Sequence, residues 1–381
     1  MDPAVFMRGH FNSYSLGYYL GIDGTETAEQ KRRSNEQGLK LLQLYGVIPI
    51  RNTPANCPDC NAPLSTISER ERYGWRYSCR NHQARKKFSP LENTFLSRAR
   101  LNGEMTADKI ILIIDMWLKR EPLLSAQETL SMSANTVVAW YGFCRDVACA
   151  IAWHDFIPIG GAGDVVEVDE FHLFKRKHNV GRETMSEHAW VVGGISRTTK
   201  NRFAVIVERR DADILMPLLQ QCIDGNSYIC TDGWKAYEDC DMVFNGHGVA
   251  NHNQNFLNPP REEEPNWASA GTFNEECLDT KWNGPAPQPG YVPFRNHTQT
   301  IERAWRDLKE CLKTTNSMEY ASEYIGEWMY RKDILERNLN MKEKFEKFLR
   351  DIRRAYPGIG KKPMKKSFED LLDCDCHECE P

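Results

Sequence analysis

Three acidic residues far apart in this sequence, Asp169, Asp232 and Glu302, each fall where a regular element can present a carboxylate. Asp169 stands near the end of the alternating run Asp164-Val165-Val166-Glu167-Val168-Asp169-Glu170-Phe171, a strand pattern that finishes in carboxylates. Asp232 follows the short β-rich run Ser227-Tyr228-Ile229-Cys230-Thr231. Glu302 lies in a helical pattern, one position off the face made by Ile301, Trp305, Leu308 and Leu312. Phosphodiester transfer at neutral pH needs a nucleophilic oxygen, a stabilised leaving oxygen and neutralised charge at phosphorus, and two divalent ions held by a few carboxylates provide all three. Mg²⁺ prefers oxygen ligands and keeps waters, so two Asp and one Glu are enough to bind it. By pattern alone a bland alternative stays open, because most of the 53 Asp and Glu are expected to be solvated surface groups.

A second set of residues has metal-ligand spacing. Cys57-Pro58-Asp59-Cys60 is followed, 18 residues on, by Cys79-Arg80-Asn81-His82. Each knuckle turn presents two ligands, and tetrahedral Zn²⁺ needs four. The pattern predicts a zinc ribbon with a structural ion, since four protein ligands leave no open position for chemistry. The alternative is a fortuitous Cys pair with His82 on the surface. A further cluster, Cys374, Cys376, His377 and Cys379, reads equally as a small metal knuckle or as a flexible acidic tail with opportunistic metal binding. Cys144, Cys149, Cys222, Cys230, Cys240, Cys277 and Cys311 show no ligand spacing and are expected to be packing residues.

The elements that must position these groups follow from periodicity. Residues 26–46 predict a helix. Residues 105–150 predict helices in which a tight turn at Ser131-Met132, with Ser133 as N-cap of the helix beyond, gives a helix-turn-helix pattern. Asn135, in the first turn of that second helix, is a candidate DNA contact; a helical hairpin with no DNA role is the alternative. From about residue 164 the period changes to that of strands. Three of them (164–171, 189–195 and 203–207) predict an antiparallel meander, a helix starts at Asp211, and a fourth strand ends at Asp232, which together make an α/β pattern with a mixed sheet. Residues 258–294, rich in Pro and Gly, read as an irregular insertion, and 319–355 as the last helices.

Length and composition bound what these parts can be. A chain of 381 residues has room for two or three units. Its 41% hydrophobic and 27% charged residues are those of a globular protein, and no apolar run of spanning length points to a membrane. No charged-then-apolar leader follows Met1, so an intracellular, reducing setting is expected, in which paired cysteines point to metal. The net charge of −4 conceals segregation: residues 70–100 hold nine Lys and Arg against two acidic groups, and 342–366 hold ten against three. Local basic patches, not the total, govern contact with a phosphate backbone. Lys175, Arg176, Lys177 and Arg182, just after the first carboxylate strand, are candidates for phosphate contacts or a solvated basic loop.

Several motifs, in order, resemble one known family. Val166-Glu167-Val168-Asp169-Glu170, the basic stretch 175–182, Trp190-Val191-Val192-Gly193-Gly194-Ile195, Thr231-Asp232-Gly233-Trp234-Lys235-Ala236-Tyr237 and His297-Thr298-Gln299-Thr300-Ile301-Glu302 resemble the Merlin superfamily of DDE transposases, with its ISXO-like transposase domain related to bacterial insertion-sequence enzymes. The resemblance runs from about residue 40 to 345 and includes a zinc-ribbon-like front end, a linking stretch at 88–96 and a closing helix at 324–331. It departs from the family at His82, where Cys is more usual, at Gln299, where Asn is more usual, and in the insertion at 258–294.

The resemblance implies a ribonuclease-H-like catalytic domain at 160–318. Ahead of it would come an N-terminal helical segment (1–50), a zinc-ribbon-like element (51–100) and a helix-turn-helix-like segment (101–155), with C-terminal helices and the Cys-rich tail (319–381) behind. Asp169, Asp232 and Glu302 would bind catalytic Mg²⁺ or Mn²⁺, and Cys57, Cys60, Cys79 and His82 structural Zn²⁺. Water would first attack a phosphodiester at the element end, and the freed 3′ hydroxyl would then attack target DNA. The implied partners are double-stranded transposon ends, target DNA and further copies of the chain, and the implied location is nuclear in a eukaryote and otherwise cytoplasmic. A transposase-derived DNA-binding protein without transposition is the alternative, against which the retention of all three carboxylates argues.

Overall fold

The computed structural model describes residues 2–9, 11–21, 27–68, 74–98, 106–173, 189–250, 257–313 and 317–366. Two compact units divide the chain: Met1–His154 with Leu335–Pro381, and Asp155–Ile334. Among the described residues no helix is long and apolar enough to cross a membrane.

The first unit begins with α1 (Pro3–Arg8), α2 (Ser13–Leu20) and α3 (Ala28–Leu44). Thr27 starts α3 with a capping box, its hydroxyl accepting from Gln30 N and its own N–H donating to the Gln30 side chain. α4 (Ala107–Leu118) packs on α3 at Gly38, where a Cβ would lie 2.6 Å from Asp108 N, and buries Ile110, Ile111, Ile113, Ile114 and Trp117. α5 (Leu123–Leu130) and α6 (Ala134–His154) are joined by a turn in which Ser131 is left-handed at φ 49°. Ser133 Oγ accepts from Thr136 N at 3.2 Å, the N-cap bond its position predicts. Between α3 and α4 lies a three-stranded antiparallel sheet, β1 (Ser65–Ser68), β2 (Trp75–Cys79) and β3 (Lys86–Phe88), with β2 central.

The second unit is mixed α/β. Its five-stranded sheet contains β4 (Val165–His172), β5 (Trp190–Ser196), β6 (Arg202–Val207), β7 (Tyr228–Asp232) and β8 (His247–Ala250), in the order β6-β5-β4-β7-β8. β4, β5 and β6 form the antiparallel meander, whereas β7 runs parallel to β4 and β8 parallel to β7. α7 (Ala212–Cys222) carries the chain from β6 towards β7, and α8 (Cys240–Val243) precedes β8. The stretch 258–294 has short paired strands where the sequence shows little periodicity. β9 (Leu257–Asn258) pairs with β12 (Asn296–His297), and β10 (Asn266–Ser269) with β11 (Tyr291–Phe294). Buried Arg295 fixes this stretch by pairing with Asp279 at 2.6 Å and donating to the carbonyls of Pro259, Pro260 and Glu263. No hydropathy pattern announces such a backbone, because side-chain-to-carbonyl bonds hold it.

α9 (Gln299–Leu312) lies on β4 and β5, burying Ile301, Trp305 and Leu308, and α10 (Met318–Tyr330) lies on β6 and α9. The chain then re-enters the first unit with α11 (Met341–Ala355), whose Phe345, Phe348, Leu349 and Ile352 are buried. Phe348 packs against Trp117 of α4, with ring centroids 4.7 Å apart and the planes tilted by 31°. The last helices therefore belong to different units, α10 to the second and α11 to the first.

Candidate active site and metal cluster

In the second unit the site is built around β4. Its parallel register with β7 pairs Glu167 with Cys230, each two residues before an aspartate, Asp169 on β4 and Asp232 at the end of β7. On the other side Asp169 pairs with Gly193 of β5. A Cβ at Gly193 would lie 2.3 Å from Phe203 O and 2.6 Å from Trp305 Cη2, so the missing side chain is what lets the indole of α9 lie close over the sheet. From there Trp305 Nε1 donates to Asp169 Oδ2 at 2.9 Å. The other two carboxylates are held in the same manner, one oxygen each by a local donor. Asp232 Oδ1 accepts from Trp234 N at 3.0 Å, and Glu302 Oε1 accepts from Thr298 Oγ1 at 2.9 Å.

Glu167 determines where α9 begins. It is wholly buried, and its Oε2 accepts from the backbone N–H of Thr300 (2.7 Å) and Ile301 (3.1 Å), two of the otherwise unpaired donors in the first turn of the helix. Its Oε1 meets Arg197 Nε at 2.7 Å, Thr300 Oγ1 at 2.9 Å and His297 Nδ1 at 3.1 Å. Arg197 in turn donates to the carbonyls of Arg295 and His297. Burial would raise the Glu167 carboxyl, but Arg197 and His297 outweigh it and hold the group down at about 2. A paired carboxylate inside the sheet thus anchors the helix that carries Glu302 and Trp305 to the strand that carries Asp169.

Asp169 behaves oppositely. Burial, reinforced by the charges of Glu170 and Asp232, pushes its carboxyl up to about 7. Burial also raises Glu170, although Tyr237 Oη (2.7 Å) and Arg210 Nη1 (2.9 Å) hydrogen-bond to it. Burial, more than neighbouring charge, thus disfavours ionisation at the end of β4.

In the first unit, Cys57 and Cys60 lie on the turn before β1, Cys79 ends β2 and His82 follows it. Cys57 Sγ is 3.4 Å from His82 Nε2, Cys60 Sγ is 3.6 Å from Cys79 Sγ, and all four ligand atoms fall within 4.8 Å of one another. A tetrahedral ion with Zn–S of about 2.3 Å and Zn–N of about 2.0–2.1 Å requires ligand separations of roughly 3.5–3.8 Å. The cluster could hold such a metal. Trp75 and Tyr77, in edge contact at 5.0 Å, pack with Ile359 beneath the sheet.

No family model and no curated protein matches this chain. The chemistry has to be inferred from the geometry, which treats the candidate residues unequally. Among the described residues, the Cys and His set is the only group of three or more such ligands within 4.8 Å of one another, so Asp169, Asp232 and Glu302 are not drawn together that tightly. Asn135 is exposed in the first turn of α6. Lys175, Arg176, Lys177 and Arg182 lie outside the described residues, as do Cys374, Cys376, His377 and Cys379. Cys144, Cys149, Cys222, Cys230, Cys240 and Cys277 are buried, as packing residues should be, and Cys311 is half-buried.

Sequence reasoning did not assign roles to Glu167, Arg197, Arg210, Trp305 or Tyr237. For Glu167 a signal existed: a charge inside the run Val165-Val166-Glu167-Val168 has to be paired wherever that strand is buried on both faces. Trp305 reads as part of the apolar face of its helix, and in the sequence its indole N–H gives no sign of its partner.

Proposed function

We propose that this protein is a DDE transposase of the Merlin type, with a ribonuclease-H-like catalytic domain in the second unit and a zinc ribbon in the first. The observation that carries the proposal is the bond from Trp305, one turn beyond Glu302 on α9, to Asp169, whose strand runs parallel beside the strand that ends at Asp232. Three acidic residues separated by 63 and 70 positions thus lie on two neighbouring strands and on the helix bonded to one of them. The mixed sheet, with its meander followed by parallel strands, is the kind of framework the resemblance leads one to expect.

The donors fit a hard divalent cation, because all are carboxylate oxygens and the charges of Glu170 and Asp232, which add to burial in raising Asp169, are what a cation relieves. Held by Asp169, Asp232 and Glu302, Mg²⁺ or Mn²⁺ would neutralise charge at phosphorus and activate the attacking oxygen. The protein's own part is orientation. Trp305, the Trp234 N–H and Thr298 each fix one carboxylate, and Glu167 fixes the helix that brings two of these parts to the strand. The cluster at Cys57, Cys60, Cys79 and His82 would hold a structural Zn²⁺, with no position left for substrate. DNA ends would be gripped by the basic runs and by the exposed start of α6 at Asn135, with multimers bringing paired ends together.

The deciding experiment is a DNA cleavage and strand-joining assay with Mg²⁺ or Mn²⁺ on candidate inverted-repeat ends taken from DNA flanking the gene. Wild-type activity that disappears in Asp232→Asn is the expected result. If both proteins bind those ends equally and neither cuts, a DNA-binding role without transposition replaces the enzyme.

A further inference from the structure

Beside the carboxylates lies an aromatic assembly that their chemistry does not require. Trp234, two residues beyond Asp232, keeps 40% of its surface exposed, unusual for the largest apolar side chain. It is nevertheless held rigidly. Its indole N–H donates to Arg210 O at 3.0 Å, and its backbone N–H to Asp232 Oδ1. The Arg210 guanidinium lies 3.9 Å from the Trp234 ring centroid and 4.1 Å from that of Trp190, sandwiched between the two indoles. The same guanidinium bonds Glu170, the residue after Asp169, whose other oxygen accepts from Tyr237. The ring is thus preorganised, backed by a cation and connected directly to Asp232 and, through Arg210, to Glu170.

We propose that Trp234 is a stacking platform for an unpaired nucleobase of the strand whose phosphodiester is served by Asp169 and Asp232. This rests on the phosphodiester-transfer reading above and adds to it a positioning residue for the substrate. A nucleobase suits the site better than an apolar side chain because the Arg210 guanidinium backs the ring and exposed Lys235 adjoins it in the chain, both favouring an occupant that carries phosphate, whereas Arg209 is paired with Asp211 at 3.4 Å. Stacking on an aromatic ring lowers the free energy of any unpaired base, since each has a π-face. That energy offsets the cost of unstacking a base from duplex DNA beside the reacting bond. An already fixed ring loses little freedom when the base arrives.

The test compares binding of the full chain to oligo(dT) and to an abasic backbone of equal length, for wild type, Trp234→Leu and Trp234→Phe. Leu keeps apolar bulk without a π-face, and Phe keeps the π-face. Wild type should prefer oligo(dT) by about 10-fold, the equivalent of roughly 1.4 kcal/mol. Trp234→Phe should retain most of that preference, and Trp234→Leu should lose it while binding the abasic strand as wild type does. Equal wild-type affinity for the two strands, or an unchanged preference in Trp234→Leu, overturns the platform even if DNA is still cut in an Asp232-dependent way. A wild-type protein that binds neither strand and cuts no DNA overturns the phosphodiester-transfer reading itself, and the platform with it.

Discussion

The two candidate metal sites were assembled in different ways. The cysteines and histidine of the first unit sit on two short turns, and the spacing of each turn already presents a pair of ligands, so only the β1–β3 sheet is needed to bring the pairs together. The carboxylates of the second unit have no such local geometry. Each needs its own element, and those elements need the Glu167–Arg197 pair, Gly193 and Trp305 before they meet. The first kind of site is legible as a motif and should depend on metal for its fold; the second should depend on its supporting residues and fold without metal. The sharpest break between them is metal removal. Structural zinc contributes about 10–16 kcal/mol in small zinc modules. Chelation, or Cys60→Ser, should therefore unfold the β1–β3 sheet and leave the five-stranded sheet intact, as read by hydrogen exchange. Equal loss of protection in both would show that the two do not differ in this way.

Next in size is the pair inside the second unit. Glu167→Ala would leave Arg197 buried without its carboxylate and the first turn of α9 without its acceptor, at a cost of about 3–5 kcal/mol. Glu167→Gln retains an acceptor for Thr300 and Ile301 and should recover part of that loss. Both substitutions should reduce cleavage more than DNA binding, because the residue they change positions Glu302 and touches no substrate. An Ala variant as stable as wild type would remove Glu167 from the account.

What could be read in advance follows the same division. The meander, the helix after Asp211, the capped helices and the Cys and His spacing rest on local periodicity and turn chemistry, which a sequence displays. β8 is four residues, His247–Ala250, with one apolar alternation, too short for a period to show. The stretch 258–294 is organised by Arg295 reaching carbonyls more than 30 positions away. Trp305 illustrates the limit most plainly: its periodicity correctly places it in the core, while its role at Asp169 depends on a glycine on another strand. Patterns record which face is buried, not which polar atom meets which.

Asp169 gives a smaller effect of opposite sign. A folded carboxyl at about 7, against about 3.9 when unfolded, means that the native state binds the proton more tightly. Stability from this group is present in full below about pH 4 and is lost as pH rises through about 7. Asp169→Asn keeps an oxygen for Trp305 and removes the charge. Without added divalent ions it should be more stable than wild type by about 2–4 kcal/mol at pH 8, a gain that vanishes near pH 4. Thermal melting across that range measures it, and a variant less stable than wild type at pH 8 would mean that the carboxylate is not under electrostatic strain.

The smallest expected change isolates one hydrogen bond. Trp305→Phe keeps an aromatic ring against Phe171, now at 5.0 Å, and deletes only the N–H that meets Asp169. That bond favours the ionised carboxylate, so its loss should move the Asp169 titration to higher pH and cost about 1–2 kcal/mol where the group is charged. In the cleavage assay the acid limb of the pH profile should shift upward while DNA affinity stays unchanged. A fall in activity uniform across pH would instead mean that Trp305 acts by packing α9 onto the sheet. The dependence of the carboxylate site on its neighbours would then be one of shape and not of charge, which is where it would come to resemble the cysteine cluster.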